Sequence, residues 1–442
     1  MKNYFIILSL LCILSPVYGS SASWEEVLSD AKINNPTLKK AEDSLKTARQ
    51  NYYSAYTNFL PQLSATVSQN QSEVLGKKIT NKENETIINS GMIPIVLTST
   101  STKTETIMQY TRDNKTGISA SLSLFSGFAD YSNVKMKKCD LDIAEQNYRR
   151  AYSDTIYNLK KKFFQLLWAQ QMIQLTNDIL KQRQKNLGMI QLKYDSGTED
   201  LGSLSRVRVD KYNAEYEVSS AMRYLKTAQI QLINSIGRND LSEIEVQGDF
   251  ITENFKPDDN TKGLIKTTPE YLIAKYNLDK AKYNIKLAKS TLFPSVSFSW
   301  SSTKSGADWP PLDNSWNLGI NASYPFFPGG KNIYDIKIAI LNQKVAEKNM
   351  LETEYQLSTR LLIAFNDVFD KNELCNVLKK IFEATKLQSD IVTQKYVNGL
   401  ASYIDWYSVE NDFINSKKNY LNSQRDASVS QAAWKNQLGS GE

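Results

Sequence analysis

Asn35-Pro36 and Thr268-Pro269 stand 233 positions apart, and so do Ala41 and Ala274, Ala48 and Ala281, Ala55 and Ala288, and Pro61 and Pro294. Five landmarks on one offset mark a tandem duplication, so whatever one half folds into the other must also fold into. In each copy a cap-competent residue precedes a proline at the first helical position. Alanines then recur every seven residues along one face, and a second proline ends the pattern 25 residues on. Further along, Phe125 and Phe327, Gly127 and Gly329, Tyr194 and Tyr396, and Gly197 and Gly399 share an offset of 202. The 31 residues by which the offsets differ fall between Pro61 and Phe125, inside the polar stretch Gln69 to Lys115. That stretch reads as a long exposed loop.

Proline is absent from 95–256 and from 329–442, and because proline breaks helices these are the places where long helices can run. Apolar residues recur there at helical spacing: Phe164, Leu167, Trp168, Met172, Leu175 and Ile179 in one, Leu357, Leu361, Phe365, Val368, Phe369 and Leu374 in the other. From Tyr131 to Lys193 and from Ile333 to Lys395 the pattern holds for roughly 60 residues, on the order of 90 Å at the α-helical rise. Helices of that length exceed a compact domain, and taken alone they also fit a coiled-coil scaffold or tether.

Beside these helices the period changes from 3.6 to 2. Leu63, Ala65 and Val67 alternate with Ser64, Thr66 and Ser68, and Ile118, Ala120, Leu122 and Leu124 with Ser119, Ser121 and Ser123. The second copy sets Val296, Phe298 and Trp300 against Ser297, Ser299 and Ser301, then Trp316, Leu318, Ile320, Ala322 and Tyr324 against Asn317, Gly319, Asn321 and Ser323. A face of small uncharged polar residues suits a water-filled lumen, with the apolar face toward lipid. Trp300, Trp309, Trp316 and Tyr324 near the strand ends fit interfacial aromatics. Four strands leave two open edges, which lipid does not tolerate, so several chains must close the barrel together.

The compartment agrees. Lys2, the apolar run Tyr4 to Leu14 and the small residues Val17 to Ser23 read as a secretory signal peptide cleaved near Gly19. No later run approaches the roughly 20 apolar residues of a membrane-spanning helix. The net charge of +6, mixed in sign along the chain, describes a solvated surface rather than a nucleic-acid patch. Histidine is absent and of three cysteines only Cys139 and Cys375 follow the signal, which removes most zinc and copper sites and histidine-based catalysis. No compact α/β pattern, Gly-rich loop or convergent acid pair supports the remaining enzyme reading, a carboxylate-based hydrolase. No catalytic, metal or cofactor residue is therefore expected.

Asn35-Pro36-Thr37-Leu38 with Leu60-Pro61-Gln62-Leu63, Leu122 to Gly127, Pro325 to Gly330 and the two Tyr-x-x-Gly turns, doubled in tandem, resemble the TolC-like outer membrane efflux proteins across Ser23 to Gly439. The resemblance implies a mainly α protein with a transmembrane β-barrel contribution. Two tandem repeats of a long helical hairpin plus two strands would give four strands per protomer, in a trimeric 12-stranded barrel on an α-helical tunnel. The expected divisions are a signal peptide at 1–19, a first repeat at 20–235, an equatorial connector at 236–267 and a second repeat at 268–442. Strands are expected near 62–75, 116–126, 295–304 and 315–326, and helical tips near 194–200 and 396–402.

The resemblance further implies an outer-membrane exit duct with a long periplasmic extension, serving tripartite efflux or type I secretion. Its expected partners are two further copies of itself, outer-membrane lipid, a periplasmic adaptor and, through that, an inner-membrane pump. Tyr194, Gly197, Thr198, Tyr396, Gly399, Leu400 and Ala401 match the adaptor-contacting tip, and Tyr396 and Asp405 match the pore constriction. Ser408, Ala401 and Ser203 replace residues the family uses to latch that constriction. The cargo is left open: missing histidine and only eight methionines weigh slightly against a soft-metal duct. Placed on the two long helices, Cys139 and Cys375 differ by 34 residues in axial position, roughly 50 Å at helical rise, so two buried free thiols are expected.

Overall fold

The computed structural model describes residues 21–90, 93–239, 243–251 and 261–441. The expected signal peptide lies outside the described residues, as do 240–242 and 252–260 of the expected connector. Helix α1 (Trp24–Asn34) is capped by Ser23 and Glu26, each bonding the other's backbone N–H. Then come α2 (Pro36–Ser54), β1 (Gln62–Ser90), β2 (Ile93–Ser126), α3 (Ala129–Asp195) and α4 (Leu201–Ile236). After the short α5 (Thr261–Ile265) follow α6 (Pro269–Ser290), β3 (Ser295–Gly306), β4 (Asp313–Ser323), α7 (Lys331–Val397) and α8 (Tyr403–Gln437). Helices α3 and α7 have 67 residues each.

The chain divides into two compact units. The helical unit takes 21–49, 139–280 and 343–441. Its largest core joins Leu159, Phe163, Leu166 and Leu167 of α3 to Leu232, Ile233 and Ile236 of α4 and Val27 and Ala31 of α1. Trp24 meets the Phe163 ring edge-on at 5.6 Å. Leu357, Leu361 and Val368 of α7 bury against Trp434 of α8 and Ile265 of α5. Other apolar residues of α7 stay exposed, among them Val345, Tyr355, Leu362, Ile363, Val377 and Leu387. One chain alone leaves that much of a helix wet, at a cost of about 25 cal/mol per Å² of apolar surface left uncovered. Cys139 and Cys375 are both buried free thiols.

The strand unit takes 50–138 and 281–342 and holds one antiparallel sheet in the order β1-β2-β3-β4. Its register sorts the side chains by chemistry. Leu63, Ala120, Trp300 and Leu318 lie in one row across the four strands, while Ser64, Ser119, Ser301 and Asn317 lie in the next. Since successive side chains point to opposite faces, the alternation in each strand becomes one apolar and one polar face of the whole sheet. On the polar face Ser64 and Ser119 share a hydroxyl hydrogen bond at 2.7 Å.

The stretch Gln69 to Lys115, read above as a loop, is instead a β-hairpin: β1 continues to Ser90 and β2 starts at Ile93, in unbroken register. The run Ile95 to Thr106 is dense in β-branched residues, which favour extended backbone. Period 2 does not announce it, because the described side chains at 78–85 and 98–108 are exposed on both faces and so show no apolar alternation. Strand β4 stops at Ser323, short of the expected 326, just before Tyr324-Pro325; proline cannot donate to a ladder.

Candidate functional site

Both long helices end in the same kind of reversal. At the end of α3, Gly197 N–H donates to Tyr194 O at 2.9 Å and Thr198 N–H to Lys193 O at 2.8 Å. At the end of α7, Gly399 N–H donates to Tyr396 O at 3.1 Å and Leu400 N–H to Lys395 O at 2.8 Å. Gly197 (φ +75°) and Gly399 (φ +76°) hold the left-handed conformation these closures need. The return helices are capped alike: the Asp200 carboxylate accepts from Ser203 N–H at 2.8 Å, and Ser402 Oγ accepts from Asp405 N–H at 3.1 Å.

Between the turns, side chains of α3, α4, α7 and α8 converge. Tyr396, 2% exposed, stacks on Trp406 at 4.9 Å between ring centres, with Ile190, Leu204 and Val207 completing the cluster. Its hydroxyl donates to Glu199 Oε1 at 2.6 Å, and Lys193 Nζ lies 4.5 Å from its ring centre while donating to its carbonyl at 3.3 Å. Burial, followed by the bond to the Glu199 carboxylate, holds the Tyr396 phenol well above the usual tyrosine range. Burial likewise pushes Tyr403 up to about 12. Arg206 Nε donates to the Tyr407 hydroxyl at 3.1 Å and faces its ring at 5.0 Å.

Farther from the turns, polar groups join the same helices. Arg183 of α3 donates to Asn411 of α8 at 2.5 Å and lies 3.8 Å from Asp210 of α4. Glu410, 1% exposed, accepts from Asn186 of α3 at 3.3 Å and from Ser389 of α7 at 3.0 Å. A buried carboxylate held by amide and hydroxyl donors makes this level of the bundle specific about which helix faces which.

The residues singled out from sequence separate into two groups. Tyr194, Gly197, Thr198, Gly399 and Leu400 are exposed at the turns, Leu400 at 76%, and Ala401 packs half-buried at the cluster's rim. Leu192, Leu201 and Ile404 extend that exposed apolar rim. Asp405 is exposed and accepts from Ser402 Oγ at 2.7 Å. Tyr396 is inside, among the side chains of the cluster. Glu199, Lys193, Arg206, Trp406 and the Glu410 network were not singled out. The 202 offset held a clue to one of them: Glu199 occupies the place of Ala401, so a charge stands in one copy where the other has a methyl.

Among the described residues there is no group of acidic or cysteine side chains able to hold a metal ion. No helix among the described residues is long and apolar enough to cross a membrane.

A family model described as outer membrane efflux protein matches residues 27–238 and 264–440. The probable outer membrane lipoprotein SilC of Salmonella typhimurium is 22% identical over 311 residues, 67% of this chain and 66% of SilC, just under two thirds of that relative's length. The cation efflux system protein CusC of Escherichia coli K12 is 20% identical over 350 residues, 75% of this chain and 74% of CusC. The crystal structure of CusC superposes with a TM-score of 0.76 at 17% identity, covering 95% of this chain and 94% of that one.

Proposed function

The chain belongs to the outer membrane efflux protein family, and from that premise we propose that it is a passive exit duct, passing molecules delivered by a periplasmic adaptor and an inner-membrane pump to the exterior. It resides in the outer membrane, and the family is one of channels rather than enzymes. The observation that carries the reading is the sheet register. The row of Leu63, Ala120, Trp300 and Leu318 and the row of Ser64, Ser119, Ser301 and Asn317, on opposite faces, each keep one chemistry across all four strands, so one face suits lipid and the other water. The free edges at β1 and β4 cannot stay open in hydrocarbon. Three copies close a 12-stranded barrel, and the exposed apolar residues of α7 find their cover in the neighbouring copies.

The two halves, 20–235 and 268–442 around the connector 236–267, act as structural repeats. In support, α3 and α7 are equal in length with their ends 202 residues apart, the same spacing as the sequence landmarks. The turns at 194–200 and 396–402 form the periplasmic tip. Tyr194, Gly197, Thr198, Gly399, Leu400 and Ala401 meet the adaptor there. Asp405, repeated around the axis, makes an acidic ring at the constriction that favours cations. Tyr396 serves both roles from within, by tying the second turn to Glu199 of the first.

The test is to express the full chain in a double-membraned bacterium, isolate the outer membrane and measure the mass of the detergent-extracted, crosslinked species. A trimer is expected. A soluble periplasmic monomer or dimer overturns the reading and leaves a coiled-coil scaffold in its place.

A further inference from the structure

Strand β2 pairs with β3 only as far as Asn114↔Gly306. Beyond that point β1 and β2 pair with each other alone, from Asn70↔Asp113 to Ser90↔Ile93, a ribbon of roughly 70 Å at 3.3–3.4 Å per residue. Strands β3 and β4, at 12 and 11 residues, are less than half as long as either of its strands. A two-stranded ribbon is at best marginally stable in water, and its two uncovered edges are templates for another strand. The usual protections are weak here. The register has no bulge, and the single proline between Gln69 and Lys115 is Pro94, beside the apex. Thr98 to Thr102 is an uninterrupted Thr/Ser run of high β propensity.

The composition selects the partner. Between residues 69 and 115 there are six Lys and Arg and five Asp and Glu. With the signs so balanced, the ribbon neither seeks an anionic surface nor repels its own kind. Both strands carry both signs, Lys82 and Glu83 on β1 and Lys103 and Glu105 on β2. The edge of β1 that closes the barrel against a neighbour is also the edge that continues, in the same register, along the ribbon. We propose that the β1–β2 ribbons of three copies of this chain pair edge to edge outside the membrane, β1 of each against β2 of the next, in a six-stranded collar that narrows the outer mouth of the duct.

The pairing is antiparallel by construction, because three identical hairpins around an axis alternate in strand direction. Barrels of about eight strands already have interiors that side chains fill, so six strands leave no wide channel. The even-numbered residues of β1 continue the polar face that begins with Ser64, Thr66 and Ser68, and Asn84 therefore faces the axis while Glu83 faces out.

The inference rests on the trimeric barrel, and the experiment separates the two. In full-length protein, Asn84→Cys and Glu83→Cys are each treated in isolated outer membranes with a short bifunctional thiol crosslinker, because copies of residue 84 lie two strands apart, about 10 Å, beyond direct disulfide reach. A third variant replaces 78–105 by Asn-Gly, and trimer mass and single-channel conductance are recorded for all three. Covalent dimers with Asn84→Cys but not Glu83→Cys, and a severalfold rise in conductance on shortening the ribbon, are expected. An intact trimer whose Asn84→Cys ribbons do not crosslink and whose conductance is unchanged by shortening overturns the collar alone. Protection of Asn84→Cys from a thiol reagent only when lipopolysaccharide is added, without crosslinks, assigns the ribbon to a glycolipid and overturns it too. Absence of a trimer overturns both readings.

Discussion

Tyr396 illustrates how far a residue's type and its setting can diverge. As a tyrosine one step before a helix-ending turn it reads as a surface group, yet it is packed under Trp406 with its hydroxyl spent on Glu199. Its phenol and that of Tyr403 are both raised, so the folded state keeps protons that the unfolded state loses above about pH 10. The stabilisation is complete below that pH and is lost as pH rises through about 12, the folded value for Tyr403. Tyrosinate absorbance should therefore show a late-ionising fraction to which Tyr396 and Tyr403 contribute, and Tyr396→Phe should reduce it. If all tyrosines titrate together near pH 10, the packing around the turns is not as described. The burial of Tyr396 was not legible in the sequence, because Trp406 meets it only once α8 has folded back along α7, and Glu199 only after two hairpins some 200 residues apart have packed.

At the level of single elements the strands are the informative case. Their alternation could be read directly for the short segments that end in apolar residues, Leu63 to Val67 and Ile118 to Leu124. The ribbon beyond them escaped, since period 2 is a signature of having one buried face and the ribbon has none. The two faces also make a prediction. Ile118 and Ser119 are adjacent in β2 but point opposite ways. Ile118→Arg puts a charge toward lipid, at a cost of about 2–4 kcal/mol at mid-depth, and should reduce the yield of outer-membrane trimer. Ser119→Arg puts the same charge in the lumen, and should preserve the yield while shifting ion selectivity toward anions. Equal losses of yield would mean that the sheet does not separate lipid from water.

For the molecule as a whole, the exposed apolar residues of α7 decide what one chain cannot do alone. Ile363 is 63% exposed and lies one residue after Leu362, at 55%. Ile363→Asp leaves the intramolecular core of Leu357, Leu361 and Val368 untouched, so the chain should still fold. It places a charge on a face that the neighbouring copy is expected to cover, where an unpaired ion is costly. Crosslinking should then yield monomers in place of trimers, with helical content by circular dichroism unchanged. Trimers at wild-type yield would put α7's apolar face toward something other than a neighbour.

Proline spacing, glycine turns and the two constant offsets set where the long helices start, reverse and return, because those are local preferences of the backbone that no distant contact has to supply. The alternating segments likewise declared which face was apolar. Tertiary packing decided the rest: that β1 and β2 run on as a ribbon, that Tyr396 turns inward onto Glu199, and that Glu410 sits buried between Asn186 and Ser389. The last two depend on residues far apart in the chain arriving at the same place, and their energies exist only once water has been excluded from between them.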